Sequence, residues 1–158
     1  MMVTMKYAER YQYDDSMFNI RWASSKKTLA YIHRARKEAL KSDCSMSIGA
    51  IIVKGGSIVS YGYNKVRNNI SVFGNNNPDD NYLAGASVHA EMSALSQLKE
   101  TQGASIYIVR VAKDGTNKLA KPCIDCAQAL HEAGITKIFV HSVNSADVLH
   151  KGELMFAA

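Results

Sequence analysis

Two short motifs contain residue types that bind metals and transfer protons. His89 and Glu91 lie two residues apart in Ser87–Leu98 (SVHAEMSALSQL), where apolar residues recur at helical spacing. Cys123 and Cys126 lie three residues apart in PCIDC, which places both thiols on one face of a helix. Either motif alone arises easily by chance. Because both open helices that follow strands, together they predict one metal site between two helix starts.

The three potential ligands His89, Cys123 and Cys126 are typical of a catalytic zinc site. Zinc prefers imidazole and thiolate ligands, and three protein ligands leave one coordination position for water. A structural zinc site is normally closed by four protein ligands. Bound zinc lowers the pKa of its water to roughly 7. Glu91 is close enough in sequence to a ligand to reach that water and transfer its proton, which suits hydrolytic removal of an amine from an aromatic amidine.

The composition favours one globular domain over residues 1–158, with an N-terminal extension (1–23) and a short C-terminal tail (143–158). Apolar residues make up 47% of the chain and charged residues 21%, which is close to the globular norm. The net charge of +5 favours anionic partners such as nucleotides or nucleic acid. A solvated face of one basic helix explains this charge at least as well.

The three cysteines and the hydropathy predict a cytoplasmic protein without a membrane partner. An odd number of cysteines with one CxxC pair does not resemble a secreted disulfide framework. The sequence contains no apolar leader segment and no run of about 18 apolar residues.

The elements predicted around the two motifs alternate between helices and strands. Helices are expected at 24–42, from about 87, and at 121–134, and strands at 46–53, 57–64, 104–115 and 135–143. Lys54–Gly56 predicts a tight hairpin turn, and 68–85 predicts a long asparagine-rich loop. We therefore expect a three-layer α/β/α domain around a mixed sheet of 4–5 strands. The tail is expected to add at most a short edge strand.

The combination of HAE with PCxxC resembles the zinc signature of the cytidine deaminase superfamily. The resemblance covers about residues 30–142, and it implies a cytidine deaminase-like fold. It also implies one catalytic Zn²⁺ bound by His89, Cys123 and Cys126, with Glu91 as the proton shuttle.

Two further residues match positions that contact the substrate in this superfamily. By resemblance, the Asn64 side chain contacts the sugar and the backbone of Ala90 meets the edge of the pyrimidine. Lys65-Val66-Arg67 follows Asn64 where deoxycytidylate deaminases usually continue with glycine and proline. Arg67 or Lys65 is predicted to meet a substrate phosphate, and an exposed loop charge is the alternative.

The histidine in the first ligand position is similar to the deoxycytidylate (dCMP) deaminase branch. This implies hydrolysis of dCMP to dUMP and ammonia in pyrimidine nucleotide metabolism, by a homo-oligomer acting on a small nucleotide or nucleoside. A tRNA or single-strand cytosine or adenine deaminase is one alternative, and a deaminase of guanine or another small amine is a second. A third, from a different class, is a non-catalytic zinc-stabilised binding module.

Overall fold

The computed structural model describes residues 18–22, 26–67, 86–118, 120, 122–135, 137–142 and 150–156. Within these ranges the helices are Lys26–Ala39 (α1), Ala90–Leu95 (α2) and Ile124–Glu132 (α3). The strands are Phe18–Trp22 (β1), Ser47–Lys54 (β2), Ser57–Tyr63 (β3), Lys65–Arg67 (β4), Ala86–Val88 (β5), Ser105–Val111 (β6), Asn117–Lys118 (β7), Lys137–Ser142 (β8) and His150–Phe156 (β9). No described helix is both long and apolar enough to cross a membrane.

The strands form one large mixed sheet and one small ribbon. The large sheet has the order β1-β9-β8-β6-β2-β3, and β7 pairs with the end of β6. Strands β6 and β8 are parallel and every other described pair is antiparallel. The predicted fold class is confirmed. The five strands from β9 to β3 form its centre, and β1 and β7 extend the sheet to seven strands.

Helices cover both faces of the sheet because β2 and β6 are apolar on both sides. Ile51 and Val109 face α1, whereas their neighbours Ile52 and Ile108 face α2 and α3. Side chains alternate between faces along a strand, so consecutive apolar residues supply two separate cores. The three-layer arrangement follows from this alternation, as does the burial of β2 from Gly49 to Val53.

The turn between β2 and β3 confirms the hairpin prediction. Lys54 pairs with Ser57, so Gly55 and Gly56 form a two-residue loop. Their φ angles are 61° and 81°. A tight hairpin of this kind needs positive φ at both central positions, which glycine adopts without a steric penalty.

The helix that carries Glu91 lies directly against the backbone of β3. A Cβ atom at Gly62 would come within 2.5 Å of the Ala90 carbonyl oxygen and 2.5 Å of the Ala94 amide nitrogen. The Ser60 hydroxyl donates a hydrogen bond to the Ala94 carbonyl at 2.5 Å. The lack of a side chain at Gly62 allows this close approach, and the Ser60 hydrogen bond holds α2 at this distance from the sheet.

The C-terminal tail differs from its prediction. Strand β9 is seven residues long and pairs with β8 on one side and β1 on the other, so it is an interior strand. The edge position belongs to β1, which comes from the N-terminal extension. The sequence HKGELMF has no strict alternation of apolar and polar residues, and therefore the tail had no strand pattern to recognise.

The start of the second helix is also corrected. The helix predicted from about Ser87 begins at Ala90, because Ala86–Val88 pairs with Lys65–Arg67 as a short ribbon. The predicted asparagine-rich loop, most of the N-terminal extension and residues 143–149 lie outside the described ranges.

Candidate active site

The two motifs lie where extended backbone turns into helix. His89 precedes α2 with φ −70° and ψ 147°, and Cys123 precedes α3 with φ −69° and ψ 164°. Each is the N-cap of its helix. Cys126 is in the first turn of α3, and its backbone N–H donates to the Cys123 sulfur at 3.4 Å. The local chain geometry thus directs one imidazole and two thiols toward a shared point.

The three ligand atoms meet in the interior of the protein. His89 Nδ1 lies 3.3 Å from the Cys126 sulfur and 3.5 Å from the Cys123 sulfur. All three ligand atoms lie within 4.8 Å of one another, and all three residues are buried. In the part of the chain that the structure describes, this is the one group of three such side chains able to hold a metal ion.

These distances fit a tetrahedral zinc ion. Zn–S bonds of about 2.3 Å and Zn–N bonds of about 2.0 Å place a nitrogen and a sulfur ligand roughly 3.6 Å apart. The observed separations of 3.3 and 3.5 Å are close to that value. A set of three nitrogen and sulfur ligands also matches zinc in chemical type. The residues therefore fit the predicted cofactor.

The two thiols differ in their readiness to ionise. The hydrogen bond from the Cys126 thiol, reinforced by interactions with His89, holds the pKa of Cys123 well below its ordinary value despite its burial. The same hydrogen bond and burial raise the pKa of Cys126. One thiolate is thus favoured even without a metal, which suits a site that binds a cation.

Glu91 lies at the edge of the metal group. Its side chain is 4% exposed, and burial raises the pKa of its carboxyl, an effect that the nearby His89 opposes. A raised pKa makes a carboxyl a better proton acceptor, which suits a group that must accept and release a proton. Sequence reasoning placed it beside the ligands, and the structure does so too.

Asn64 is fully buried and binds the start of β2. Its Nδ2 donates to the Met46 carbonyl at 2.7 Å, and its Oδ1 accepts from the Ile48 amide at 2.9 Å. Its backbone N–H donates to the Ile48 carbonyl at 3.1 Å, and its carbonyl accepts from the Ser42 hydroxyl at 2.8 Å. Asn64 therefore holds the end of β3 against β2, a role that the sequence did not reveal.

Most of the chain matches one protein-family model. The model for the cytidine and deoxycytidylate deaminase zinc-binding region matches residues 25–142. The chain belongs to the cytidine and deoxycytidylate deaminase family. It is a zinc-binding hydrolytic deaminase, and the predicted cofactor is confirmed. No curated protein matches this deaminase.

Solved structures of a phage enzyme resemble this deaminase. The dCMP deaminase of the cyanophage S-TIM5 in its apo form is 26% identical, with a TM-score of 0.52, over 73% of this chain and 82% of that chain. The same enzyme in complex with dCMP and dUMP is 26% identical, with a TM-score of 0.53, over 73% of this chain and 81% of that chain. The resemblance to the dCMP deaminase branch is confirmed by these matches.

The remaining predicted substrate contacts of the deaminase are placed by the backbone. Ala90 is the first residue of α2 and is fully buried between the ligand His89 and Glu91. Arg67 ends β4, directly opposite Ala86 on β5. Lys65 lies over the ring of Tyr63, with its Nζ 4.7 Å from the ring centre. The β4–β5 ribbon thus connects the predicted phosphate contact to the strand that leads into His89.

Sequence reasoning missed one charged residue of this face. Arg110 lies in the apolar strand β6 and is only partly exposed. Arg110 continues the every-second-residue spacing of Ile106 and Ile108, which places it on the face of α2 and α3. An arginine at such a position in an apolar strand was the available signal.

Proposed function

We propose that this deaminase hydrolyses dCMP to dUMP and ammonia. The observation that carries the proposal is the buried group of His89, Cys123 and Cys126 with Glu91 beside it. The similarity to a dCMP deaminase whose complex contains dCMP and dUMP supports a cytosine nucleotide as the substrate.

In this proposal His89, Cys123 and Cys126 would hold the zinc ion, which would supply a water of lowered pKa as the nucleophile for C4 of the base. Glu91 accepts a proton from this water and delivers it to N3 of the pyrimidine. It then takes the remaining proton from the hydroxyl now bonded to C4 and passes it to the amine, so that the C–N bond breaks, ammonia leaves and C4 keeps the oxygen as a carbonyl. Burial of Glu91 keeps bulk water away from this transfer and raises the pKa of its carboxyl, which favours its holding a proton between the two transfers.

The proposal assigns substrate positioning to three residues. The fully buried Ala90 offers its backbone to the pyrimidine edge, and Asn64 faces the sugar while it anchors β2. Arg67 is the predicted phosphate contact on the ribbon beside the helix start. We further propose a single domain that acts in the cytoplasm as a homo-oligomer. The free state of all three cysteines supports that compartment.

A panel of substrates tests this function. Ammonia release is measured from dCMP, dCTP, deoxycytidine, cytidine, guanine, a single-stranded oligonucleotide and a tRNA, with protein loaded with one zinc ion per chain. We expect the highest kcat/KM for dCMP. Absence of turnover with dCMP would refute the proposal, and turnover only with the oligonucleotide or tRNA would replace it with a nucleic-acid deaminase.

The role of Glu91 has its own test within this panel. Glu91→Gln keeps the size of the side chain and removes proton transfer, so we expect kcat for dCMP to fall about 10²- to 10⁴-fold with zinc still bound. Glu100→Gln is the matched control, since Glu100 is 73% exposed and contacts only Lys54 among the ion pairs of the described residues. Full activity of Glu91→Gln with zinc bound would refute the proposed proton shuttle.

A further inference from the structure

Arg110 lies on the face of the sheet that carries the metal site. It follows Ile106 and Ile108, which pack against α2 and α3, whereas Val109 and Val111 pack on the α1 side. Since side chains alternate along a strand, Arg110 is directed to the α2 and α3 side. It is also near the end of β6, from which the chain proceeds to Cys123.

The guanidinium of Arg110 lacks a protein partner in the described ranges. Its Nε atom is buried, and its N–H donates to no acceptor there. The ion pairs among described residues involve Arg34, Lys41 and Lys54, and none involves Arg110. A partly buried, unpaired charge costs free energy, because its lost hydration is not replaced. Such a group is expected where a ligand supplies the missing anion.

Lys118 is the residue directly across from Arg110 on β7. Residues opposite each other in an antiparallel pair project from the same face, with Cβ atoms about 5 Å apart. Lys118 is exposed, and the carboxylate it influences, Asp114, already accepts hydrogen bonds from Thr116. Two like charges at this spacing repel each other, and an anion between them would remove that cost.

The hairpin that carries Lys118 is held from the opposite face. Arg36 of α1 donates to the Asn117 side chain and, through Nη2, to the Gly115 carbonyl at 2.9 Å. Asn117 pairs with Val111, whose side chain belongs to the α1 face. Contacts on the α1 face therefore set the positions of Arg110 and Lys118. Interactions of their own charged groups are not needed for this.

The basic pair lies in line with the substrate contacts. Arg110 pairs with Ile48 across the sheet, and Ile48 makes two backbone hydrogen bonds with Asn64. Asn64 adjoins Lys65, which pairs with Val88, the residue before His89. A row of neighbouring residues, linked by strand pairing or hydrogen bonds, thus runs from the metal ligand His89 through the predicted sugar contact Asn64 to Arg110 and Lys118.

We propose that Arg110, assisted by Lys118, is the main contact for the phosphate of the substrate nucleotide, ahead of the predicted contact Arg67, and thereby selects nucleotides over nucleosides. The inference rests on the proposed function, since it assigns a recognition residue to the same site. Guanidinium groups bind phosphate oxygens through paired, charge-assisted hydrogen bonds, which an unpaired and partly buried arginine can form at low entropic cost.

The test compares a phosphorylated and an unphosphorylated substrate. Arg110→Gln should raise KM for dCMP about 10- to 100-fold while KM for deoxycytidine changes less than about threefold. Arg110→Lys should recover part of the loss, and Lys118→Gln should raise KM for dCMP only about two- to fivefold. Lys113→Gln is the matched control, because it removes a positive charge from the same hairpin outside the row.

Equilibrium binding of dUMP and deoxyuridine supplies a readout that needs no turnover. Wild-type protein should bind dUMP more tightly than deoxyuridine, and Arg110→Gln should remove that preference. Equal losses for the phosphorylated and unphosphorylated ligands, or no loss for either, would overturn the assignment. Should Arg110→Gln fail to fold, Arg110→Lys and Lys118→Gln decide by the same criterion.

The two proposals fail in different ways. Turnover of dCMP that is indifferent to Arg110 overturns the phosphate assignment and leaves the proposed function standing. A wild-type protein that turns over no cytosine compound overturns the proposed function. In that case, a dUMP preference that depends on Arg110 still supports the phosphate site, and its absence refutes the site.

Discussion

The two faces of the central sheet are built from different side chains. On the α1 face, Tyr107 stacks on Phe139 with ring centres 4.4 Å apart, and Tyr31 lies 4.9 Å from Tyr107. On the opposite face, many of the buried residues are small, and the buried polar residues Ser60, His89 and Glu91 lie there. The small residues of this face are Ala50, Ala90, Ala94, Ala104, Ala120 and Ala127.

This difference shows how the molecule separates stability from chemistry. Large rings fill the α1 face and supply packing energy. Helix backbone lies close to a glycine on both faces, at Gly49 and at Gly62, but only on the second face do short side chains such as Cys123 and His89 converge. A change on the first face should affect folding, and a change on the second should affect the metal and the reaction.

The largest effect is expected from loss of a metal ligand. Cys126→Ala should reduce bound zinc from one ion per chain to near zero and reduce ammonia release to background. The free energy of unfolding of the metal-free protein should change by only about 1 kcal/mol, since one small side chain is removed. Zinc content is measured by elemental analysis after dialysis, and unfolding by urea titration in a chelator.

Cys44→Ala is the control for this change. Cys44 is also buried, and burial raises the pKa of its thiol, but it packs against Met46 and Ile48 outside the metal group. It should keep both zinc and activity. Loss of zinc from Cys44→Ala would contradict the three-ligand site.

The next effect is on the stability of the opposite face. Phe139→Ala removes the ring stacked on Tyr107 and should lower the free energy of unfolding by about 3–5 kcal/mol. Zinc content and kcat should stay within about twofold of wild type wherever the protein remains folded. Urea unfolding curves give the first quantity, and assays well below the unfolding midpoint give the others.

Phe139→Leu is a milder variant that retains most of the apolar volume, and it should lose less stability. A Phe139→Ala protein that is fully folded yet has lost its zinc would show that the two faces are not separate.

The smallest effect should come from a matched pair of glycines. Gly49 and Gly62 lie on neighbouring strands, and a Cβ on either would meet helix backbone. At Gly49 it would lie 2.2 Å from the Ala35 carbonyl oxygen of α1, and at Gly62 2.5 Å from the Ala90 carbonyl oxygen of α2. Each alanine substitution should cost about 1–3 kcal/mol of stability through overpacking.

Only Gly62→Ala should also reduce kcat, because it displaces the helix that carries Glu91. Thermal unfolding and steady-state kinetics on both variants test this distinction. Equal effects of the two substitutions on kcat would contradict the separation of the faces.

The metal site was predictable because its information is local. A ligand and a proton carrier two residues apart, and two thiols three residues apart, each occupy a single turn of chain. The strands that precede the motifs then determine where those turns meet. The hairpin at Gly55 and Gly56 was predictable for the same reason, since one turn requires one backbone conformation.

The features that were missed depend on distant pairing. Strands β1 and β9 pair with each other although they are far apart in the sequence. Strand β9 has no alternating pattern, whereas the five residues of β1 (FNIRW) alternate between apolar and polar and were the available signal in the N-terminal extension. The anchoring role of Asn64 depends on the carbonyl and amide of β2, which the sequence around Asn64 does not contain. The neighbours of Arg110 in the sheet, Ile48 and Lys118, are set by strand pairing, so the sequence around Arg110 does not reveal them.

The position of β9 has a consequence for the order in which the protein forms during synthesis. Among the described strands, β1 has β9 as its neighbour in the sheet, and β9 is translated last. Among the described strands, the first to be synthesised is thus the last one able to pair. Long-range contacts of this kind slow folding because the whole intervening chain must be ordered first. Until β9 has been synthesised, the edge of β8 that it covers lacks its partner.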